Sequence, residues 1–337
     1  MSRSVVIHTI GPAVSVQDLG RPGGLGLGLS RGGAADRFGF IDGAVLLGQS
    51  MDYAALEMAG MGGRFSFNQP TRFALSGATM RATLDGAPVE WNASHFALPG
   101  MQLDIGATES GVYGYLHVGG GLNTEVELGG RGYHRIAGLG QLIEAGGTVR
   151  IGPDAHPDMA PMRLPERLFG NEPIRVMPGP QSDLFSDAAK SAFEAATFLR
   201  SPRANRQGVR LDHDGAPFAT EGQLTLVSDF ISEGDIQMTG DGTPYVLLAE
   251  CQTMGGYPRI GTVIPADLPR IAQAMPGAAL RFQFISTEVA EALWRSENTY
   301  AASRKSALAP RVRDPREMAD LLSYELIDRP GPEVAGD

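Results

Sequence analysis

The feature that most limits how this chain folds is the length of its apolar runs. Ser4–Ile10, Arg64–Phe67, Arg72–Leu75, Met80–Leu84, His95–Leu98, Gln102–Ile105, Val112–Val118 and Thr148–Ile151 are each four to seven residues long. Such runs suit strands and are too short for ordinary helices. Turn signals such as Asp85-Gly86 and Pro99-Gly100 lie between them, in a chain with 45 Gly and 23 Pro. Many short strands between Gly/Pro turns predict a mainly β protein, built as a barrel or sandwich.

A second set of runs follows a Pro-rich break from His156 to Pro165. Its strands are expected at Ile174–Met177, Gly208–Leu211, Gln223–Val227, Asp235–Met238, Tyr245–Ala249 and Leu280–Ile285. At 337 residues there is chain enough for two cores. Helices are expected over Asp36–Leu47 with Asp36 as cap, over Ser182–Leu199 with a break, over Asp267–Met275, and over Ser286–Arg304. The expected organisation is therefore an N-terminal barrel over 1–165, a second barrel over 166–290 and a helical tail over 291–337. That tail holds a short amphipathic piece, Glu317–Leu326, and a Pro/Gly end.

The formal charge is −10, with no stripe of Arg and Lys. That argues against nucleic acid or an anionic membrane as partner. No apolar run is long enough to span a bilayer, and Met1–Ile7 runs into a strand pattern without a signal-peptide signature. One cysteine, Cys251, rules out an intramolecular disulfide framework and fits a reducing cytoplasm, which is the expected location. The only lysines are Lys190 and Lys305. Neither lies in a phosphate-binding G-x-x-x-x-G-K-[ST] loop or in a Met-Lys-Met carrier context. A nucleotide or tethered cofactor is therefore expected on another chain.

Four constellations can carry chemistry. In Ser15-Val16-Gln17-Asp18-Leu19-Gly20-Arg21, a strand ends in Gln, Asp and Arg before a glycine turn. Arg21 offers a donor fork to a carboxylate or amide, or else Asp18 and Arg21 pair and pin the turn. Gly24–Asp36 is glycine-rich but does not keep the dinucleotide order, and could deliver Arg31 and Asp36 to a cleft. Gly119, Gly120 and Gly121 follow a strand and offer backbone N–H groups to an anion, or else accommodate a close neighbour. The fourth is Glu250–Val263, where Gln252, Thr253, Gly255, Gly256 and Tyr257 share one turn beside Gln237 and Gln181. Glutamine reads amides and carbonyls, so a small amide or carboxylate is the expected substrate. No H-E-x-x-H, Cys/His cluster or G-x-S-x-G is present, and no metal is expected. Cys251 reads as a small buried apolar residue rather than a nucleophile.

In order along the chain, Ser15–Arg21, Gly33-Ala34-Ala35-Asp36, Leu56-Glu57, Gly77-Ala78 and Tyr115–Gly121 resemble segments of the KipA/PxpC family. So do Gly179-Pro180-Gln181, Gly208–Leu211, Ile236-Gln237, Gln252–Tyr257, Ala266-Asp267-Leu268 and Ala272-Gln273. This family is also called allophanate hydrolase subunit 2 or biotin-dependent carboxyltransferase-like. The chain departs from it at Gly129-Gly130-Arg131-Gly132-Tyr133, where the family carries G-S-R-S/T. The resemblance implies cyclophilin-like barrels and a KipI/PxpB-like partner subunit, with a PxpA-like subunit in one assembly; a homo-oligomer is compatible with it. It implies either ATP-dependent opening of 5-oxoproline to glutamate, or carboxyl transfer to urea with biotin on another chain. A non-catalytic regulatory partner is the third reading. The residues expected to be catalytic are Asp18, Arg21, Asp36, Gln237, Gln252 and Tyr257. Gln17, Gly119, Gly120, Gln181, Arg210, Thr253, Gly255 and Gly256 are expected to bind substrate. Arg21, Gln237 and Gln252 are expected to meet in one cleft.

Overall fold

The computed structural model describes residues 2–218 and 226–311. Two strands organise the first half: Thr71–Leu84 and Gln102–Val118, paired antiparallel from Phe73↔Val118 to Leu84↔Leu103. Each merges two of the expected short runs. The chain stays extended between them because the ladder shifts register between Gly77 and Ala82, and Gly77 and Gly111 adopt φ of 76° and 84°. Bulges of this kind bend a strand without ending it.

Gln102–Val118 then pairs with Met61–Phe67, which pairs with Ser4–Ile10, which pairs with Thr148–Arg150. Further along, Gln102–Val118 pairs with Ala55–Ala59, and that strand pairs with Val14–Gln17. Isolated bridges Ala54↔Leu122 and Leu122↔Ile151 join the two branches and close the ring. Inside lie Val5, Ile7, Val16, Phe65, Phe67, Phe73, Leu75 and Leu103. They recur at every second position, with Val6, Ser66 and Ala74 between them outside this core, which is the period-two pattern of a strand.

The second half closes differently. Phe198–Asn205 pairs with Ala279–Leu280, while Ile174–Met177 pairs in parallel with Phe282–Phe284. One segment, kinked at Arg281, thus serves both ends of an eight-stranded sheet. Phe193, Phe198, Phe218 and Phe282 fill this core, with Phe193 centred 4.9 Å from Phe198 and 5.1 Å from Phe282. The Gln223–Val227 expectation falls mostly outside the described residues, and Glu317–Leu326 falls wholly outside them.

The α-helices are α1 (Arg37–Leu46), α2 (Asp187–Ala195), α3 (Leu268–Gln273), α4 (Thr287–Leu293) and α5 (Glu297–Ser306). The expected helix over Ser182–Leu199 is only α2, preceded by a short 3-10 turn and followed by a strand from Phe198. Ser286–Arg304 is two helices, because Trp294 turns extended and Ser296 starts a new cap by accepting from Thr299 N–H. Asp267 does not cap α3 with its side chain; that carboxylate holds Arg175 instead. Asp36 does cap α1, accepting from Gly39 N–H at 2.9 Å.

Helix α1 is buried on nearly all sides rather than on one stripe. The barrel covers one face and α5 the other: Tyr300 stacks on Phe38 at 4.3 Å, and Arg304 donates to Asp42 at 2.8 Å. After α5 the chain adds Ala309–Pro310 to Met162–Arg163 at the edge of the first sheet. The strands of the first sheet thus come from 4–163 and 309–310, and those of the eight-stranded sheet from 174–284.

Candidate functional site

Asp18 and Arg21 do not pair with each other. Asp18 accepts from Gly20 N–H at 2.8 Å and Arg131 N–H at 2.6 Å. Arg21 donates to the carbonyls of Glu127 and Gly132, both at 2.8 Å, and more weakly to Gly130. Gln17 Nε2 donates to Tyr133 O in the same loop. Three side chains from one strand end therefore grip the 127–133 loop through its backbone. This is where the chain departs from the family pattern, and the structure gives a reason for the glycines. A Cβ at Gly130 would lie 2.9 Å from Arg21 Cγ, and one at Gly132 would lie 2.9 Å from Asp18 Oδ1 and Gln17 Oε1. Both contacts are too close for an ordinary side chain.

Asp36 is fully buried and does not reach a cleft. Arg167 pairs with it, and Gln273 Nε2 donates to it at 2.8 Å. Nearby, Glu57 accepts from Ala35 N–H and from the Tyr115 hydroxyl, and pairs with Arg206. Arg206 also donates to Glu250 at 2.6 Å and to Gly33 O at 2.5 Å. It comes from the turn after Phe198–Asn205 in the second barrel and joins that barrel to the first. Burial opposes its charge, but Glu57 and Glu250 outweigh burial and hold the guanidinium above its ordinary range. Arg206 was missed in the sequence, because a lone Arg in an Asn-Arg-Gln turn looks like a solvated turn residue.

Gly119, Gly120 and Gly121 hold no free amides. Their N–H groups donate to Arg72 O, to Gln49 Oε1 at 3.0 Å and to Val118 O. A Cβ at Gly119 or Gly120 would strike Asp154 or Gly152, so these glycines accommodate a close neighbour.

The Glu250–Val263 segment spreads its residues over several environments. Gln252 is exposed, and Tyr257 is 48% exposed. Thr253 donates to Gly28 O at 3.1 Å, and Gly32 N–H donates to Ala249 O. The loop carrying Gln252 is thereby bound at two points to the loop carrying Arg31. Gln237 is buried with Nε2 packed against Gly255, and that nitrogen has no hydrogen-bond partner among the described residues. Gln181 accepts from Arg259 N–H and Nε, both at 3.2 Å. Gly256 lies on the exposed side of the turn. Arg210 makes its bonds to Asp212 and Tyr245. Arg21, Gln237 and Gln252 therefore do not meet: one grips a loop, one packs on a glycine and one faces solvent.

His134, also missed, bonds Ser30 Oγ at 2.9 Å through Nε2, and its Nδ1 accepts from Ala137 N–H. An Nδ1 that accepts places the proton on Nε2, so His134 donates to Ser30 and does not activate it as a base. Burial lifts the Cys251 thiol to about 12, which makes it a poor nucleophile. No cluster of three His, Cys, Asp or Glu suited to a metal occurs among the described residues.

Two cavities adjoin this polar seam. A 90 Å³ pocket is lined by Arg167, Phe169 and Gln273 among others. A 460 Å³ cleft takes Arg31, Arg37 and Phe38 from the first half, Glu233 and Leu268 from the second, and Trp294 and Glu297 from the α4–α5 segment.

A closed antiparallel barrel joined through buried ion pairs to a second barrel defines a mainly β protein with its polar groups gathered at the junction. The sequence pattern of the carboxyltransferase domain, subdomain A and B, matches residues 27–284, and the chain belongs to that family. It is 31% identical over 285 residues to the C subunit of the Escherichia coli 5-oxoprolinase, covering 83% of this chain and 91% of that protein. It is 29% identical over 294 residues to the protein of the same name from Haemophilus influenzae, covering 85% and 93%. A urea amidolyase from Lachancea kluyveri is 28% identical over 86% of this chain but only 17% of its own length. Among solved structures, TTHA0988 superposes with a TM-score of 0.76 at 29% identity, over 84% of this chain. The chain spans just over half, 56%, of that protein.

Proposed function

We propose that the chain is the C subunit of an ATP-dependent 5-oxoprolinase, opening 5-oxoproline to L-glutamate together with a KipI/PxpB-like subunit and a PxpA-like subunit. The observation that carries this reading is length. The two 5-oxoprolinase C subunits are matched over 91% and 93% of their extent, whereas the urea amidolyase is matched over 17%.

In this reading the amide carbonyl is activated as a phosphate ester, and donors stabilise the negative charge that develops on it. The roles of the residues follow from what their polar atoms already hold. Gln17, Asp18, Arg21 and Asp36 are positioning residues that fix the loops at the junction. Gln252 and Tyr257 present free polar groups on the open side of the turn, and Gln237 and Gln181 support that turn from beneath. The glycine amides at 119–121 are engaged within the chain and form no phosphate cradle. ATP is therefore assigned to a partner or to a shared surface. The organisation into an N-terminal barrel, a second barrel and a helical tail, and a cytoplasmic location, belong to the same proposal.

The second reading, carboxyl transfer to urea with biotin carried on another chain, draws support from the family match and from the urea amidolyase. Coexpression with the two partner subunits separates the readings. Glutamate release that needs both 5-oxoproline and ATP is the expected result. ATP turnover that instead needs biotin, bicarbonate and urea would establish the second reading, and a stable complex with neither activity would favour a regulatory role.

A further inference from the structure

The 460 Å³ cleft has a charge arrangement that the residues discussed so far do not use. Glu297 Oε1 lies 2.8 Å from Arg31 Nη2 and 3.9 Å from Arg37 Nη1. Two guanidiniums from different elements thus converge on one carboxylate oxygen. Arg31 is anchored by donating Nε to Leu19 O at 2.8 Å, and Arg37 by pairing with Glu233 at 2.5 Å. The two forks are held in place from outside the contact with Glu297. Arg37 Nε, itself buried, has no hydrogen-bond acceptor among the described residues, and Arg295 at the same cleft has no ion pair among them. Glu297 is the first residue of α5, and its side chain is 30% exposed. An ion pair this open to water adds little to stability, so another carboxylate can replace it at small cost. Phe38 and Trp294 give the cleft apolar surface beside the charges, a combination typical of small-molecule sites.

We propose that this cleft binds a small carboxylate, read by Arg31 and Arg37, and that Glu297 is the built-in carboxylate which the ligand displaces. Naming the ligand as a cyclic amide bearing one carboxylate, 5-oxoproline, rests on the function proposed above. Urea has no carboxylate, so urea itself should not occupy this site. Displacing Glu297 also frees the start of α5 from Arg31, which links ligand binding to the α4–α5 segment.

Calorimetric titration of the full chain tests the site with three probes: 5-oxoproline, glutarate, and 2-pyrrolidone, which is the same ring without the carboxylate. Binding of a carboxylate that weakens with added salt, with 2-pyrrolidone inert, is expected. Arg31→Gln and Arg37→Gln should each weaken it by about tenfold or more, since each removes a charge-assisted donor. Glu297→Gln should tighten it by about threefold, by removing the competing carboxylate from a partly screened pair. That gain cannot come from a misfolded variant. Failure of both carboxylates to bind, equal binding of 2-pyrrolidone, or unchanged affinity in both arginine variants would overturn the site. In the reconstituted complex the two proposals come apart. Turnover of 5-oxoproline with a KM unchanged by Arg31→Gln would overturn the site and leave the activity standing. Glutarate binding abolished by Arg31→Gln, in a complex that does not open 5-oxoproline, would support the site and remove the activity.

Discussion

Arg21 is nearly inaccessible to water, at 2% exposure, and no carboxylate pairs with it among the described residues. Its charge is held by backbone carbonyls alone; without the fork Gly132 O loses its donor, while Glu127 O and Gly130 O keep each other's N–H groups. Arg21→Lys keeps the charge and loses the planar geometry that reaches two carbonyls at once. It should lower stability by about 3 kcal/mol, the scale of one or two charge-assisted hydrogen bonds, seen as an earlier urea midpoint. An unchanged midpoint would remove the clamp from the account. His117 gives a second test at this scale. Its ring is fully buried near Phe40, both nitrogens lack partners among the described residues, and burial lowers its pKa to about 3. Below the ordinary value of 6.5 the unfolded chain takes up a proton that the native ring refuses. Stability should therefore fall as pH drops from 6.5 towards 3, by up to ~1.4 kcal/mol per unit from this group. His95, lowered to about 4 chiefly by burial, acts in the same direction. Urea unfolding of His117→Leu across this range should show a shallower acid slope than the parent; parallel slopes would contradict the assignment.

Between elements, the contact that matters most is α5 on α1. Asp42 is buried at the middle of α1 and is held by Arg304 at 2.8 Å, Tyr300 at 3.0 Å and, at 3.5 Å, Arg167. Burial raises its pKa, and Arg167 and Arg304 oppose that. Arg304→Ala leaves this carboxylate under-compensated and should cost about 3 kcal/mol. The loss should appear as faster hydrogen exchange across α5 than across the barrel strands; equal protection would mean that α5 is held by its apolar contacts alone. The same elements show what could be read in advance. Period-two runs, the Asp36 cap and the Gly/Pro turns are local signals, so strand positions and α1 were legible. The fusion of runs into Thr71–Leu84 and Gln102–Val118 was not, because bulges are decided by the partner strand. The break between α4 and α5 was legible only in part, since Ser296 is a fair cap but Trp294 breaks no rule of helix propensity. For the candidate residues, the side-chain types were legible and their partners were not. Asp18, Arg21 and Asp36 looked like ligands because their partners lie about a hundred residues away, at Glu127, Gly132 and Arg131, or on Arg167.

For the molecule as a whole, Arg206, Thr253 and Gly32 tie the second barrel to the first, and α5 returns to cover the first barrel's helix. The loop that carries Arg31 into the cleft is the one that Thr253 and Ala249 hold, so the Gln252 turn and the cleft are linked through it. In the function proposed above, this junction carries the substrate-binding face and other chains supply the phosphoryl donor. Omission and add-back tests that division of labour most directly. The partner subunits alone should release little or no glutamate from 5-oxoproline and ATP, and adding the purified chain should restore release in proportion to the amount added, up to a stoichiometric limit. Partner subunits that form glutamate at the full rate without this chain would contradict the account.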